Sequence, residues 1–315
     1  MTVKPELLAT AGSMEELERL AAAGADAFVL GEARYGMRLS GDFDLPLLSE
    51  AVRYAKPRGI RIYAAVNNLI DNETVPLLPD YVKGLDAAGV EAIVFGDPAV
   101  LMAVRQHAPK LELHWNTEMT ATNYATANYW GRKGASRFVL ARELNLEQVI
   151  EMKQHTELEV QVQVHGMTNI YHSKRNLVNS YMDYRSSAGV SGEQQTLRAD
   201  MESGLYLIEV ERQDERFPIY EDRNGTHIMS SDDLCMLEGL DELMAAGIDS
   251  FKVEGLLKSI EYNETVVRSY RQAIDQYIAD PAGYRFNEQL LDDIRAVQDQ
   301  ERELSFGFFY KEQVY

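Results

Sequence analysis

The stretch Gly24-Ala-Asp-Ala-Phe-Val-Leu-Gly-Glu32 recurs in outline as Gly89-Val-Glu-Ala-Ile-Val-Phe-Gly-Asp97, as Gly134-Ala-Ser-Arg-Phe-Val-Leu-Ala-Arg142 and as Gly247-Ile-Asp-Ser-Phe-Lys-Val-Glu254. In each copy a glycine closes an amphipathic segment as a left-handed helix cap, and a short apolar strand then runs out to a polar residue. Between the copies, Glu6 to Ala11, Arg61 to Val66, Leu111 to Trp115 and Leu158 to Val164 read as four more strands. Helical periodicity marks Met14 to Ala23, Leu45 to Lys56, Leu77 to Ala88, Ala99 to His107, Tyr124 to Lys133, Leu146 to His155, Ser231 to Ala246 and Asn263 to Ala279. Eight strands alternating with eight helices predict an α/β fold, a (β/α)8 TIM-like barrel. A doubly wound open sheet is the alternative that the same alternation allows.

The alternation lapses once, between Gly166 and Ser231, which places an insertion of residues 167–230 after the seventh strand. Within it, Leu205 to Arg212 and Phe217 to His227 read as an antiparallel pair, with Asn224-Gly225 at a further bend. The expected division is a barrel over 1–286 that includes the insertion, followed over 287–315 by a helix (Asn287 to Gln300) and an aromatic tail, Phe306-Gly-Phe-Phe-Tyr310, packed on the barrel. No composition shift marks a linker to a second domain.

The chain has 315 residues, enough to bury a large core, and 45% of them are hydrophobic. No apolar run reaches the roughly 18 residues of a membrane span, and the N-terminus lacks a basic region followed by an apolar one, so a cytoplasmic protein is expected. One cysteine, Cys235, excludes an intrachain disulfide and a cysteine-built metal or iron-sulfur site. A net charge of −19 opposes nonspecific attraction to nucleic acid, although a local basic patch would escape that argument.

A barrel gathers the C-terminal ends of its strands at one mouth. Here those ends carry Thr10, Glu32, Asn67, Asp97, Asn116, Glu118, Arg142, Glu143, His165 and Glu254, with Arg38, Lys252 and Lys258 close by. A ring of that kind suits a divalent cation or a small anion held between arginines. Some members will simply cap helices, as Asp97 before Pro98 and the stretch Thr10 to Ser13 suggest. His165 is the foremost acid-base or ligand candidate, since imidazole titrates near neutrality and Gly166 beside it implies a close backbone approach; a hydrogen-bonded structural histidine is the competing reading. Tyr171, His172, Lys174, Arg175, Tyr181, Tyr184 and Arg185 interleave aromatic and basic side chains, a pattern that suits stacking on RNA bases and equally a subunit contact. Cys235 reads as a buried apolar thiol on a helix. No His-Glu-x-x-His helix, Gly-x-Ser-x-Gly elbow or phosphate loop is present.

Several of these stretches, taken in order, resemble the collagenase-like peptidase family U32, of unassigned catalytic type. They are Lys4-Pro-Glu-Leu-Leu-Ala-Thr-Ala-Gly12, Gly24 to Gly31 with Arg34-Tyr35 and Arg38, Ala65-Val-Asn67, Gly96-Asp-Pro98, Ala141-Arg-Glu-Leu144, Val164-His-Gly166, Asp233-Leu-Cys235, Lys252-Val-Glu-Gly255 and Lys258-Ser259. The resemblance implies a barrel and, despite the peptidase name, RNA or quinone hydroxylation with an iron-sulfur cluster held by four cysteines after the Val-His-Gly strand. Two of those positions fall here on Asn169 and Asn176, the segment from Gly189 to Arg198 supplies no other pair, and the family's Glu-Gly-Arg is Glu254-Gly255-Leu256. An amide does not replace a thiolate on iron.

The chain therefore resembles a cysteine-less paralogue that accompanies a cluster-bearing one in prephenate-dependent hydroxylation of the tRNA wobble uridine. That resemblance implies no cluster on this chain, a cluster-bearing partner of the same family, and tRNA and a small carboxylate such as prephenate as ligands. Combined with the strand-end ring and the aromatic-basic segment, this reading takes His165, Glu254, Glu32 and Arg142 for chemistry, Arg38, Asn67, Glu118, Glu143 and Lys258 for substrate, and Tyr171, His172, Lys174, Arg175 and Arg185 for RNA or partner contact. A peptidase using His165 and Glu254, metal-assisted or not, and a scaffold without pocket chemistry are the two other readings.

Overall fold

The computed structural model describes residues 4–116, 122–187 and 198–312. Through its first half the chain alternates strand and helix: β1 (Glu6–Thr10), α1 (Met14–Ala23), β2 (Ala27–Leu30), α2 (Leu45–Ala55), β3 (Arg61–Val66), α3 (Leu78–Ala88), β4 (Ala92–Phe95), α4 (Pro98–His107), β5 (Glu112–Asn116), α5 (Tyr124–Arg132), β6 (Arg137–Val139), α6 (Leu146–Gln154) and β7 (Glu159–Gly166). The insertion contributes β8 (Asn169–Ser173), α7 (Leu177–Ser187), β9 (Tyr206–Ile208), β10 (Arg216–Asp222) and β11 (Gly225–Met229). The chain then forms β12 (Asp233–Cys235), α8 (Leu240–Ala245), β13 (Ser250–Val253), α9 (Ile260–Ala279) and α10 (Glu288–Val297).

Strands β1 to β7 pair in parallel with their neighbours, and β13 pairs in parallel with both β7 and β1, closing a ring of eight. That closure excludes the open doubly wound sheet. The repeated glycines act as expected: Gly24, Gly89, Gly134 and Gly247 all have positive φ, and Gly24 and Gly89 cap α1 and α3. Helix starts are fixed by side-chain acceptors, Ser13 for α1, Asp97 for α4, Asn145 with Gln148 in a reciprocal box for α6, and Ser259 for α9.

Inside the ring, Leu8, Ala27, Tyr63, Ala92 and Val94 form a packed layer with Val29. Beneath it, at the N-terminal ends of the strands, lies a buried polar plug. Arg137 bonds Glu6 at 2.5 Å and Glu159 at 2.7 Å, and Glu6 also accepts from the Tyr63 hydroxyl at 2.7 Å and Ser250 Oγ at 2.8 Å. These residues come from five different strands, so all of them must face the barrel interior. With its floor filled, the ring is open to chemistry at the opposite end.

Two compact units emerge from the packing: residues 1–166, 234–299 and 305–315 form the barrel unit, and residues 167–233 with 300–304 form the other. The boundary expected at 286/287 does not mark a change of unit: α10 packs on α9 inside the barrel unit, where Leu146 N–H also donates to Phe309 O at 2.9 Å. In the second unit, β8, β11, β10 and β9 form an antiparallel sheet in that order, and Arg302 meets buried Asp233 at 2.8 Å. The strand read as Phe217 to His227 is thus two strands folded back at Asn224-Gly225, where Gly225 has φ 109°.

The helix read over Ser231 to Ala246 is also corrected. Residues 233 to 237 are all buried, and Leu234 and Cys235 pair antiparallel with Gly166 and His165, leaving only Leu240–Ala245 helical. Backbone pairing with β7 outcompetes helical periodicity there, so Cys235 lies on a strand. No helix among the described residues is long and apolar enough to cross a membrane.

Candidate functional site at the barrel mouth

The C-terminal ends of β1, β7 and β13 converge on a buried polar cluster. Thr10 donates to Glu254 Oε1 at 3.1 Å while accepting from Ser40 Oγ at 3.0 Å and from the Gly255 N–H at 2.9 Å. The other oxygen of Glu254 meets Lys252 Nζ at 2.8 Å, and the Glu254 N–H donates to His165 O at 3.0 Å. Gly166 makes this approach possible: a Cβ on it would lie 2.1 Å from Glu254 O, and its φ is 100°. His165 is fully buried, and its Nε2 lies 2.8 Å from the Tyr262 hydroxyl. Lys258 Nζ sits 4.9 Å over the Tyr262 ring.

Arg142, three residues beyond β6, is half-buried. Burial pushes its pKa down, and Glu143 and Glu254 oppose that by charge without a hydrogen bond. It stays protonated nonetheless, as an arginine does in proteins. The result is a desolvated cation with no hydrogen-bond partner among the described residues, next to the Glu254 cluster, a setting that favours an incoming anion.

His165 and Glu254 are therefore brought together and Arg142 is placed within their field. Glu32 lies instead beside the stacked Tyr35 and Tyr81 rings, 3.7 Å apart: burial first, and then its charge, raises both phenol pKa values. Asn67 is committed to the backbone, accepting from Met37 N–H at 3.0 Å, and it thereby helps hold Arg38 in a left-handed conformation, φ 54°. Glu143 is exposed, Asp97 is an N-cap, and Glu118 lies outside the described residues. The sequence reading missed Tyr262 and Ser40. Tyr262 was discoverable, since Ser259 caps α9 and puts the residue three positions on at the rim of the eighth strand.

On the second unit, Tyr171, Lys174 and Arg175 are exposed and Arg185 is half-buried, with its guanidinium above the Tyr181 ring. His172 is more engaged in structure: it stacks on His227 at 4.8 Å and contacts Asn224 O at 2.9 Å. At the positions where the resemblance led one to expect cysteines the chain has the amides Asn169 and Asn176, and the one thiol, Cys235, is buried in the barrel unit with its pKa raised by that burial. Amide oxygens and a single thiol do not fit an iron-sulfur cluster. The described residues contain no grouping of three His, Cys, Asp or Glu suited to a metal ion.

Residues 12–314 match the model of peptidase family U32. The chain belongs to that family. Among curated members, it is 48% identical to "tRNA hydroxylation protein P2" of Bacillus subtilis strain 168 over 99% of both chains. It is 34% identical to "tRNA hydroxylation protein P1" of the same strain, over 100% of this chain and 74% of that one. Two paralogues of the family thus occur in one organism, and this chain matches the shorter from end to end. A solved dihydrodipicolinate synthase from Bacillus anthracis shares the fold, with TM-score 0.51 at 10% identity, over 94% of this chain and 83% of that one.

Proposed function

We infer that this chain is a tRNA hydroxylation protein of family U32, the member of a paralogous pair that carries no cluster. The observation that carries this reading is the 48% identity to the P2 protein over 99% of both chains. With a single cysteine this chain cannot build such a cluster itself, and the reading places the cluster on the other member of the pair; the reaction proposed is prephenate-dependent hydroxylation of the wobble uridine. Cytoplasmic location follows from that substrate.

In this reading the barrel mouth binds a small carboxylate. Arg142 provides the cation, with Arg38 and Lys258 as further candidates for binding the carboxylate. His165, positioned by Tyr262, is the candidate for holding or passing a proton. Glu254, fixed between Thr10 and Lys252, orients that end of the site. The exposed Tyr171, Tyr181 and Tyr184 with Lys174, Arg175 and Arg185 offer stacking faces and phosphate contacts to tRNA.

Deleting the gene and measuring tRNA nucleosides by mass spectrometry tests the assignment. Nucleosides derived from 5-hydroxyuridine should fall and return when the wild-type gene, but not Arg142→Met, is restored. Unchanged levels in the deletion strain would remove the reading.

A further inference from the structure

The second unit contains a surface that the barrel-mouth site does not use. Among the described residues, strand β9 is at the edge of its sheet, hydrogen-bonded to β10 alone. Its three residues are all apolar and all exposed, Tyr206 at 41%, Leu207 at 43% and Ile208 at 51%, and Val210 just beyond is 87% exposed. Four large apolar side chains in five positions, bare on both faces of an unpaired edge, form the template for strand addition that proteins usually blunt with charge, proline or a bulge.

The pairing pattern fixes which backbone groups are free. Ile219 N–H donates to Leu205 O at 3.0 Å, and Leu207 lies opposite Phe217. In an antiparallel ladder every second residue bonds inward, so Leu205 and Leu207 face β10, and the N–H and C=O of Tyr206 and Ile208 point off the sheet. Pro218, opposite Tyr206, loses nothing there, since that pair exchanges no bonds.

Charge identifies the occupant. The segments flanking β9 carry exposed Asp200, Glu202, Glu209, Glu211 and Asp214, with Glu215 half-exposed. Their arginines are already engaged, Arg212 with Glu209 and Glu215, and Arg216 with Glu301. A second copy would bring the same acids and another net charge of −19 to this edge, and RNA would bring phosphates. We propose that the β9 edge docks an extended segment of another protein chain, apolar at its centre and carrying Lys or Arg at its ends. It adds as a fifth strand, with main-chain bonds to Tyr206 and Ile208. This holds whether or not the assignment to tRNA hydroxylation is correct.

The test uses the full chain and fluorescent eight-residue peptides in which alternating valine and tyrosine are flanked by lysine pairs or, as controls, glutamate pairs. Anisotropy should show saturable binding of the lysine-flanked peptide, at least tenfold weaker for the glutamate-flanked one and weakened by salt. Ile208→Pro removes an outward donor while leaving the β9–β10 bonds in place, and should weaken binding at least tenfold with an unchanged circular dichroism spectrum. A second variant, Glu209→Lys with Glu211→Lys, should invert the peptide preference. Equal binding of both peptides, no saturable binding, or full binding by folded Ile208→Pro would overturn the proposal. Self-association in sedimentation that Ile208→Pro abolishes would overturn it too, by assigning the edge to a second copy.

Discussion

Arg137 opens strand β6 and Arg142 lies five residues on, past its C-terminal end, and the protein treats them in opposite ways. At the floor, Arg137 is buried to 1% exposure and bonded to Glu6 and Glu159. Burial alone would lower its pKa, but the charges of Glu6 and Tyr63 and the bond to Glu6 outweigh that, and the pKa ends up raised. At the mouth, Arg142 meets a similar desolvation with only the remote charges of Glu143 and Glu254 against it, and its pKa ends up lowered. A cation whose donors are all occupied serves the fold. A half-buried cation that makes no hydrogen bond among the described residues is available to an incoming anion.

The widest separation between the two ends should come from truncating one arginine at a time. Arg137→Ala is expected to destabilise the protein by about 3–5 kcal/mol in urea unfolding, because Glu6 is left as a buried charge short of its main counter-ion. Arg142→Met is expected to change stability by less than about 1 kcal/mol, since no hydrogen bond is lost among the described residues, while hydroxylation in the cell falls at least tenfold. Equal destabilisation by the two would erase the contrast.

The floor should also show a pH signature that the mouth arginine lacks. Burial raises the Glu6 pKa, but Arg137, Arg61 and the Tyr63 hydroxyl more than offset it, so the folded value lies below the ordinary glutamate range. A carboxylate depressed in this way contributes stability that is complete above the unfolded pKa and is lost as pH falls through the lower folded value. Thermal melts from neutral pH downward should show this acid loss in the wild type and a shallower one in Glu6→Gln, whose melting point is already lower at neutral pH.

At the mouth, Tyr262→Phe removes the 2.8 Å contact with His165 and should cost about 1 kcal/mol. Its larger effect should be on the pH profile of hydroxylation, because the imidazole loses the group that orients it. A drop in activity with no change in the profile would make Tyr262 a packing residue only. Smallest of all, Lys83→Ala breaks an exposed pair with Asp80 and should move stability by less than about 0.5 kcal/mol, which sets the noise level for the other comparisons.

Much of this was legible in the chain. The four glycine-closed repeats gave the helix ends and strand positions, because only glycine takes a left-handed cap without steric cost, and a closed cap forces the chain into the next strand. Gly166 announced a close approach, and Glu254 O is the atom that makes it. The reading failed where partners come from far along the sequence. Residues 231–239 had helical spacing, but Leu234 and Cys235 pair with β7, some seventy positions earlier, and β8 and α7 were missed because much of their apolar surface is exposed and leaves no burial pattern.

By itself, the sequence determined the alternation of elements, the mouth at the strand ends and the lack of thiolates for a cluster, since these depend on local backbone preference and on composition. Tertiary structure alone decided that Arg137 is a closed plug while Arg142 makes no hydrogen bond among the described residues, and that β9 is the edge of its described sheet. Both depend on which distant groups arrive within about 3 Å of a given donor, and no local pattern of residues encodes that distance.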